Sequence, residues 1–281
     1  MDESSIETFW NSHPCGELFA GGPEHYRANY EAFFSEYDRY RYSTEKHIQA
    51  CLDNMKVSGK RVLEVGLGQG ADAEQLVRRG AIWSGLDLTA ESVARVRTRL
   101  SLRELPYENI QQGSILNPPY PDGYFDVVFS HGVLHHVPDI KKAQHELHRI
   151  LKRKGELVVM LYARNSINYL VSIAIVRRLG LLALHLLGID PGGIYREHLN
   201  NARQLGLMEY LRLRNFIHAN TDGPRNPYSK VYDLATVRED FPDFRVTRAY
   251  KRFMHAPPLP IAWLPLGNVL GWHYWVHLSP K

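Results

Sequence analysis

The chain has 281 residues, of which 44% are hydrophobic and 23% are charged, a composition that excludes a disordered or fibrous protein. Two cysteines are too few for a disulfide-stapled scaffold, and no Cys/His group has zinc-ligand spacing. The net charge of +4 is too small to indicate a nucleic acid or an anionic membrane as partner. Residues 1–5 lack the features of a signal peptide, so we expect a cytoplasmic protein.

The first 50 residues predict a helical cap, because aromatic side chains recur every three to four positions from Tyr26 to Tyr37. From residue 60 onward, short apolar runs alternate with amphipathic stretches. The predicted strands are 61–65, 82–87, 109–112, 125–129, 156–162, 244–253 and 271–278, and the main predicted helices are 71–79, 89–102, 138–155 and 234–240. This alternation predicts an α/β, Rossmann-like domain with a seven-strand, mostly parallel sheet.

The sequence further predicts three regions. Residues 1–50 form the cap, residues 51–163 and 231–281 form the α/β domain, and residues 164–230 form an inserted helical lid, substrate region or dimer face. The longest charge-free run at the start of 167–188 has ten residues, whereas a spanning helix needs about 20. We therefore expect a lid or a homodimer face. Contact with a membrane surface through 167–188 is the alternative, since Arg177 and Arg178 lie within this apolar stretch.

A glycine-rich loop follows the first predicted strand. Gly66, Gly68 and Gly70 allow a ligand to approach the backbone and the N-terminus of the next helix. Glu64 at the strand end would repel a pyrophosphate and attract an ammonium group, and Asp87 after the second strand is placed to accept hydrogen bonds from a ribose. These features indicate S-adenosylmethionine rather than NAD. A tight turn beside a surface glutamate is the structural alternative.

Several histidines follow the fourth predicted strand, on the side of the sheet where ligands bind. His135 is our first candidate for a general base and His136 our second, because an imidazole titrates near neutral pH. Helix capping or packing is the alternative for each. We predict no metal, since no third convergent ligand is visible in the sequence.

Taken together, these motifs resemble the class I S-adenosylmethionine-dependent methyltransferases, in the small-molecule branch similar to quinone-biosynthesis C-methyltransferases. The resemblance covers about residues 60–162 and rests on 62–70, Asp87, 125–130, 133–136 and 146–156. It implies S-adenosylmethionine as cofactor, S-adenosylhomocysteine as product, and a cap whose Tyr42 contacts the methionine end. Core packing of Tyr42 is the alternative. The predicted cofactor-binding residues are Glu64, Gly66, Gly68, Gly70, Asp87, Leu88, Ser114, Ile115, Ser130, His131 and Tyr42.

One segment departs from the family pattern. Gly113-Ser114-Ile115 stands where the family usually has Gly-Asp-Ala, so Ser114 offers a hydroxyl acceptor at the position where the family's aspartate lies near the adenine amine. The resemblance implies methyl transfer to a small or lipid-like, partly apolar acceptor at oxygen, carbon or nitrogen. Two alternatives stay open: a tRNA-base methyltransferase, although the lack of a dense basic stripe argues against nucleic acid as partner, and a cofactor-binding pseudoenzyme that supports another protein.

Overall fold

The computed structural model describes residues 3–14 and 16–281. A seven-stranded sheet with the order β3-β2-β1-β4-β5-β7-β6 forms its centre. The strands are β1 Arg61–Val65, β2 Ile82–Asp87, β3 Asn109–Gln112, β4 Phe125–His131, β5 Leu151–Tyr162, β6 Phe244–Arg252 and β7 His273–Pro280. Strands β1 to β5 pair in parallel, and β7 runs antiparallel to both β5 and β6. The predicted α/β fold with a mostly parallel seven-strand sheet is confirmed.

The described residues form thirteen α-helices. They are α1 Glu3–Ser12, α2 Glu17–Ala20, α3 Tyr30–Thr44, α4 His47–Asp53, α5 Ala71–Arg78, α6 Ala90–Leu102, α7 Ile140–Ile150, α8 Arg178–Leu187, α9 Gly193–Leu205, α10 Leu207–Tyr210, α11 Leu213–Phe216, α12 Leu234–Asp240 and α13 Gly267–Leu270. A π-helical segment, Asn168–Arg177, leads directly into α8, and 3-10 turns lie at Pro23–Tyr26, Leu134–His136 and His218–Asn220.

Local sequence explains where several of these elements begin and end. The Thr89 and Asp139 side chains accept hydrogen bonds from the first-turn N–H groups of α6 and α7, as N-caps do. Strand β5 starts earlier than predicted, at Leu151, because the chain passes from α7 straight into pairing with Phe125. An irregularity in the pairing then accommodates Gly155, which the sequence had indicated as a helix stop.

The sheet is covered on both faces, which accounts for its apolar strands. Alternate side chains of β1 point to opposite faces. Val62 joins a core with α4, α5 and α6, whereas Leu63 joins a core with α7 and α12. Helix α4 belongs to the first of these cores through Ile48 and Leu52, so the predicted cap boundary at residue 50 falls inside a helix that packs on the sheet.

A fully buried arginine fastens the cap to the sheet-flanking helices. Arg99 of α6 donates from Nε to Glu74 Oε2 of α5 at 2.8 Å, and its guanidinium also binds Asp38 of α3. Arg103, one turn further along α6, donates to the same Glu74 carboxylate at 2.8 Å. A buried ion pair is strongly destabilising to break, so α3 is held firmly against α5 and α6.

Residues 164–230 build a small core of their own. Ile173, Leu181, Leu199 and Phe216 pack together and against Trp272, which precedes β7. The apolar faces that the sequence predicted to cover a ligand, a subunit or a lipid are thus partly used inside the insert. By length and composition, the helix Asn168–Leu187 could cross a membrane, contrary to what the short charge-free run indicated.

Candidate functional site

A cleft of about 1100 Å³, measured out to open solvent, lies beyond the carboxyl ends of the parallel strands. Two walls enclose it: the glycine-loop wall, formed by 64–69 and 86–89, and the histidine wall, formed by 131–138. The cap closes the top with Glu3, Ile6 and Trp10 of α1 and with Tyr37 and Arg41 of α3. The topology therefore places the cleft where ligands of doubly wound sheets bind.

Most residues predicted to bind a cofactor lie on this cleft, together with one of the predicted bases. Those lining it are Glu64, Gly66, Gly68, Asp87, Leu88, Ile115, His131 and His136. Among the described residues, the predicted Gly70, Ser114, Ser130, Tyr42 and His135 do not line it. Gly70, Ser114, Ser130 and Tyr42 lie directly behind the residues that line the cleft and support them.

Two of these supporting residues shape the loop itself. Gly70 adopts the left-handed conformation, with φ of 76°, at the N-terminus of α5. The Ser130 hydroxyl donates to the carbonyl of Val65 at 3.0 Å and ties β4 to the end of β1. Both residues fix the backbone that the cleft exposes.

The other two supporting residues anchor the cap. The Tyr42 hydroxyl donates to the carbonyl of Ala71 at 3.1 Å, and its ring packs in the aromatic core of α3. Ser114 Oγ binds the Glu3 carboxylate of α1 and accepts from Leu116 N at 2.9 Å. The structure thus places Tyr42 in the packing role given as the alternative.

Gly66 shows why a side chain is not tolerated in the loop. Its φ is 80°, and a Cβ built there would lie 2.1 Å from Cγ2 of Val133 on the histidine wall. Only glycine allows the two walls to approach so closely. The close approach brings the end of β1 and the end of β4 to opposite sides of one narrow space.

Glu64 is the first of two buried acids on the glycine-loop wall. It is 2% exposed, faces the cleft, and accepts a hydrogen bond from the Trp83 indole at 3.0 Å. Burial raises the pKa of Glu64 well above its ordinary range, and the negative charge of Asp72 raises it further. A buried carboxylate in this state favours a ligand that brings a positive charge.

Asp87 is the second buried acid, and donors from the glycine loop and from Thr89 bind it. Leu67 N donates to Oδ2 at 2.6 Å, the Thr89 amide and hydroxyl donate to Oδ1 at 2.8 and 2.7 Å, and the Gly68 amide also hydrogen-bonds to the carboxylate. These bonds brace the loop, and because Asp87 also lines the cleft, a ligand hydroxyl can share its carboxylate oxygens with the loop. Burial raises its pKa despite these donors.

An ion network stands at the junction of the cap and the histidine wall. Arg41 Nη2 donates to Asp72 Oδ2 at 2.6 Å, and His131 Nδ1 lies 2.7 Å from the same oxygen. Burial opposes ionisation of Asp72, but the Arg41 guanidinium outweighs it and holds the pKa of Asp72 well below its usual range. All three side chains line the cleft.

His136 is the predicted base that faces the cleft. Its Nδ1 lies 2.7 Å from the carbonyl of Tyr228, and its Nε2 lies 3.3 Å from Oδ2 of Asp222. The first contact requires an N–H on Nδ1, which leaves Nε2 as the ring nitrogen that can take up a proton. Asp222 lies beside this nitrogen, and His136 lowers the pKa of Asp222 although burial opposes this.

His135 lies one layer deeper. Its ring is fully buried against Tyr162, with centroids 3.9 Å apart, and neither ring nitrogen has a hydrogen-bond partner among the described residues. Burial lowers the pKa of His135 well below its ordinary range. A ring so placed acts as a packing group under His136, and the structure does not bring it to the cleft.

Sequence reasoning missed several cleft residues. Arg41, Asp72 and Trp10 belong to separate segments that only the fold brings together, and Asp222 comes from the insert. Asp72 alone carried a usable signal, since an acid in the first turn of the helix after a glycine loop faces the same ligand space. Within the described chain, none of residues 164–230 lines the cleft itself; the insert acts through its contacts with His136.

The comparison with protein families identifies the domain. Residues 63–159 match the family described as a methyltransferase domain. Residues 63–159 therefore form a methyltransferase domain. The matched residues contain both walls of the cleft, and the resemblance that the sequence motifs indicated is confirmed.

Curated relatives agree with this assignment. The domain is 32% identical to the ubiquinone biosynthesis O-methyltransferase of Alkalilimnicola ehrlichii over 151 residues, which are 53% of this chain and 57% of the relative. The protein of the same name from Marinobacter nauticus is 28% identical over 65% of this chain and 74% of its own length. This chain spans about half the length of most of the curated relatives it matches.

Solved structures share the fold. A SAM-dependent methyltransferase from Aquifex aeolicus aligns with a TM-score of 0.51 and 15% identity, over 86% of this chain and 93% of its own. The [4+2]-cyclase SpnF aligns with a TM-score of 0.53 and 13% identity, over 88% and 82% of the two chains. Since one neighbour is named a cyclase, the fold by itself does not determine the reaction.

Proposed function

We propose that this methyltransferase domain transfers a methyl group from S-adenosylmethionine to a small or lipid-like, partly apolar acceptor. The observation that carries the proposal is the meeting of two different walls in one cleft. The glycine-loop wall presents the buried acids Glu64 and Asp87, and the histidine wall presents His136 with Asp222 behind it. The first set suits an amine and a ribose, and the second suits a group that must lose a proton.

The cofactor fits the residues that are present. S-adenosylmethionine supplies an electrophilic methyl group when bound. Glu64 would hold its ammonium group, because a buried carboxylate facing the cleft gains most from a cationic partner. Asp87 would accept from the ribose, and Arg41 is the cation at the cap end of the cleft.

The acceptor chemistry we propose is O-methylation of an acidic hydroxyl. Nε2 of His136 is the proton acceptor, and Asp222 stabilises the imidazolium that forms. Trp10 lies edge-on to the His136 ring, 5.2 Å between centroids, and gives this end of the cleft an apolar surface. The name of the curated relatives, O-methyltransferase, supports the same choice.

A labelled-methyl assay tests this function. Tritiated S-adenosylmethionine is incubated with an alkyl-substituted catechol, with the same catechol lacking the alkyl chain, and with total tRNA. We expect label in the alkyl catechol and little in tRNA. Label in tRNA alone would favour the tRNA-base alternative. Tight S-adenosylhomocysteine binding with no transfer to any acceptor would favour the pseudoenzyme.

We also propose that the insert rests on an anionic lipid surface. A stripe without charges runs along its exposed face through Val171, Ile175, Leu179 and Leu186, and the last two are 60% and 72% exposed. Arg177 and Arg178 turn inward: Arg177 donates to the carbonyl of Asn220 at 2.7 Å, and Arg178 donates to that of Leu211 at 2.7 Å. The stripe is thus apolar in spite of its arginines.

Charge and an aromatic residue favour lipid over a second copy of the chain. Residues 164–230 contain nine Arg or Lys against four Asp or Glu, a net charge of +5 where the whole chain has +4. Arg177 Nε donates to the carbonyl oxygen of Pro257 at 2.9 Å and so links the insert to the segment that contains Trp263. The Trp263 side chain is 78% exposed. Two like-charged copies would repel each other, whereas anionic headgroups attract this surface.

Vesicle sedimentation tests the lipid contact. The protein should pellet with vesicles of phosphatidylglycerol and phosphatidylcholine more than with phosphatidylcholine alone. The double variant Leu179→Ser with Leu186→Ser should lose this binding. The control Leu102→Ser removes an exposed leucine from α6 and should bind as the wild type does. Unchanged binding of the double variant would refute the contact, and a concentration-dependent dimer lost in that variant would indicate a dimer face.

A further inference from the structure

A second group of polar side chains lies behind the histidine wall, where α3 and α4 meet the ends of β4 and β7. Glu45, His131 and His273 each contribute one potential ligand atom, and the three atoms lie within 4.8 Å of one another. Nε2 of His47 lies 3.2 Å from Nδ1 of His273. Of these four residues, His131 is the one that also lines the cleft, so the proposed methyl transfer leaves the other three without a role.

The two imidazoles that could bind an ion are held by their second ring nitrogens. Nδ1 of His131 lies 2.7 Å from the Asp72 carboxylate and 2.8 Å from Nη2 of Arg41, and Nδ1 of His273 lies 3.2 Å from Nε2 of His47. Both contacts leave Nε2 as the nitrogen for a further ligand. An imidazole oriented through its other nitrogen by a carboxylate or another acceptor is the usual arrangement around a protein-bound metal ion.

The charges around the group permit a cation. Two arginines lie near the group: Arg41, with Nη1 3.9 Å from Oε2 of Glu45, and Arg252, whose charge acts on His47. Asp72 binds the Arg41 guanidinium at 2.6 Å, so the carboxylates of Glu45 and Asp72 offset these two positive charges.

We propose that Glu45, His131 and His273 bind one divalent transition-metal ion of the zinc class. Two imidazole nitrogens and one carboxylate oxygen form a ligand set that Zn²⁺ and Co²⁺ accept, with a fourth position for water. Magnesium prefers oxygen ligands throughout and fits less well. The sequence predicted no metal, because these ligands come from three distant segments and no local spacing indicates them.

The ion would join parts of the molecule that the sheet alone does not connect. Glu45 caps the C-terminus of α3, and His273 is the first residue of β7. A metal bound by both ties the cap to the antiparallel strand and fixes the ring of His131, which faces the cleft. The proposal does not depend on the methyl-transfer reaction, since Glu45 and His273 do not line the cleft.

Cobalt titration tests the site. The purified chain, stripped with a chelator, should bind one Co²⁺ with the strong visible absorption of a four-coordinate ion, and Zn²⁺ should displace it. His273→Ala and Glu45→Gln should each weaken binding at least about 10-fold. The matched control is His277→Ala on the same strand, where a buried histidine pairs with Glu156 at 2.8 Å outside the group. It should bind Co²⁺ as the wild type does.

Two results would overturn the proposal: no Co²⁺ or Zn²⁺ binding by the wild-type chain, or equal binding by Glu45→Gln. If His273→Ala fails to fold, as judged by circular dichroism, Glu45→Gln decides alone, because this residue sits at a half-buried helix end. S-adenosylhomocysteine binding is measured on the same samples. A chain that binds the nucleoside but no metal refutes only the metal site.

Discussion

On the glycine-loop wall of the cleft, burial raises the pKa of both carboxyl groups, Glu64 and Asp87. On the histidine wall and its supports, burial acts in the same direction on Asp72 and Asp222. The Arg41 guanidinium beside Asp72, and His136 and hydrogen bonds around Asp222, outweigh it, and both pKa values fall. Four acids within one cleft region thus divide into two pairs with opposite pKa shifts.

The opposite pKa shifts distinguish the carboxylates whose charge the fold already compensates from those whose charge a ligand would have to compensate. Asp72 has Arg41, and Asp222 has His136, so the histidine wall is compensated by the fold and is ready before anything binds. Glu64 and Asp87 face the cleft without a cation of their own at hydrogen-bond distance among the described residues. A ligand with an ammonium group and hydroxyls would complete that wall.

The largest expected effect concerns the histidine wall. If His136 is the base, His136→Ala should lower turnover by about 10²- to 10⁴-fold and leave S-adenosylhomocysteine affinity little changed. Turnover is measured with the acceptor found in the labelled-methyl assay, and affinity by calorimetry.

His135→Phe is the matched control for that variant. A phenyl ring keeps the packing against Tyr162, so turnover should stay within a few-fold of the wild type. Loss of turnover in His135→Phe together with retention in His136→Ala would reverse the two roles and restore His135 as the base that the sequence favoured.

The next effect concerns the glycine-loop wall. Asp87→Ala removes a charged acceptor for ribose hydroxyls, worth about 1.5–3 kcal/mol, and should weaken S-adenosylhomocysteine binding roughly 10- to 150-fold. Asp126→Ala, an aspartate of β4 paired with Lys152 away from the cleft, is the control and should bind normally. Tight NAD binding by the wild-type chain, with none of S-adenosylhomocysteine, would contradict the cofactor assignment.

A smaller expected effect tests whether the ammonium group of the ligand supplies the positive charge that Glu64 lacks. Because the pKa of Glu64 is raised in the free protein, an arriving ammonium group should lower it and release part of a proton. The binding enthalpy of S-adenosylhomocysteine near neutral pH should therefore depend on the ionisation enthalpy of the buffer. Glu64→Gln should remove that dependence, and its persistence in the variant would assign the proton to another group.

The smallest effect is on acid stability. Asp72 and Asp222 have folded-state pKa values below the unfolded value of about 3.9, so each stabilises the fold above that pH and loses its contribution as the pH falls through the folded value. The free energy of unfolding should therefore decrease below about pH 4. Asp222→Asn should make this decrease shallower in urea denaturation, and an unchanged slope would exclude Asp222 as a source.

The two walls also differ in how much of them the sequence could predict. Glu64, Gly66 and Asp87 were found because they lie at the ends of two successive strands, where topology alone determines their position. Asp222 and Arg41 were not found, because they reach the cleft region from a helical insert and from the cap. No local period or spacing links them to the histidines.

The sequence was equally limited in predicting which side chains the insert exposes at its surface. A charge count along 167–188 treated Arg177 and Arg178 as interruptions of an apolar stretch. In the fold both guanidinium groups bind carbonyl oxygens of the insert, and the exposed stripe is apolar over the length of the helix. The direction of a long side chain depends on its partners in three dimensions, and the sequence does not contain that information locally.

The buried Arg99 affects how a ligand can enter and leave the cleft. It locks α3 to α5 and α6, so the half of the roof that carries Tyr37 and Arg41 is a fixed part of the domain. The other half is α1, a ten-residue helix in which Glu7 accepts from Gln112 at the end of β3 and Glu3 accepts from Ser114 just after it. We therefore expect exchange of a spent cofactor to proceed by displacement of α1, and we predict that the opening rate of that helix limits the number of reaction cycles per second.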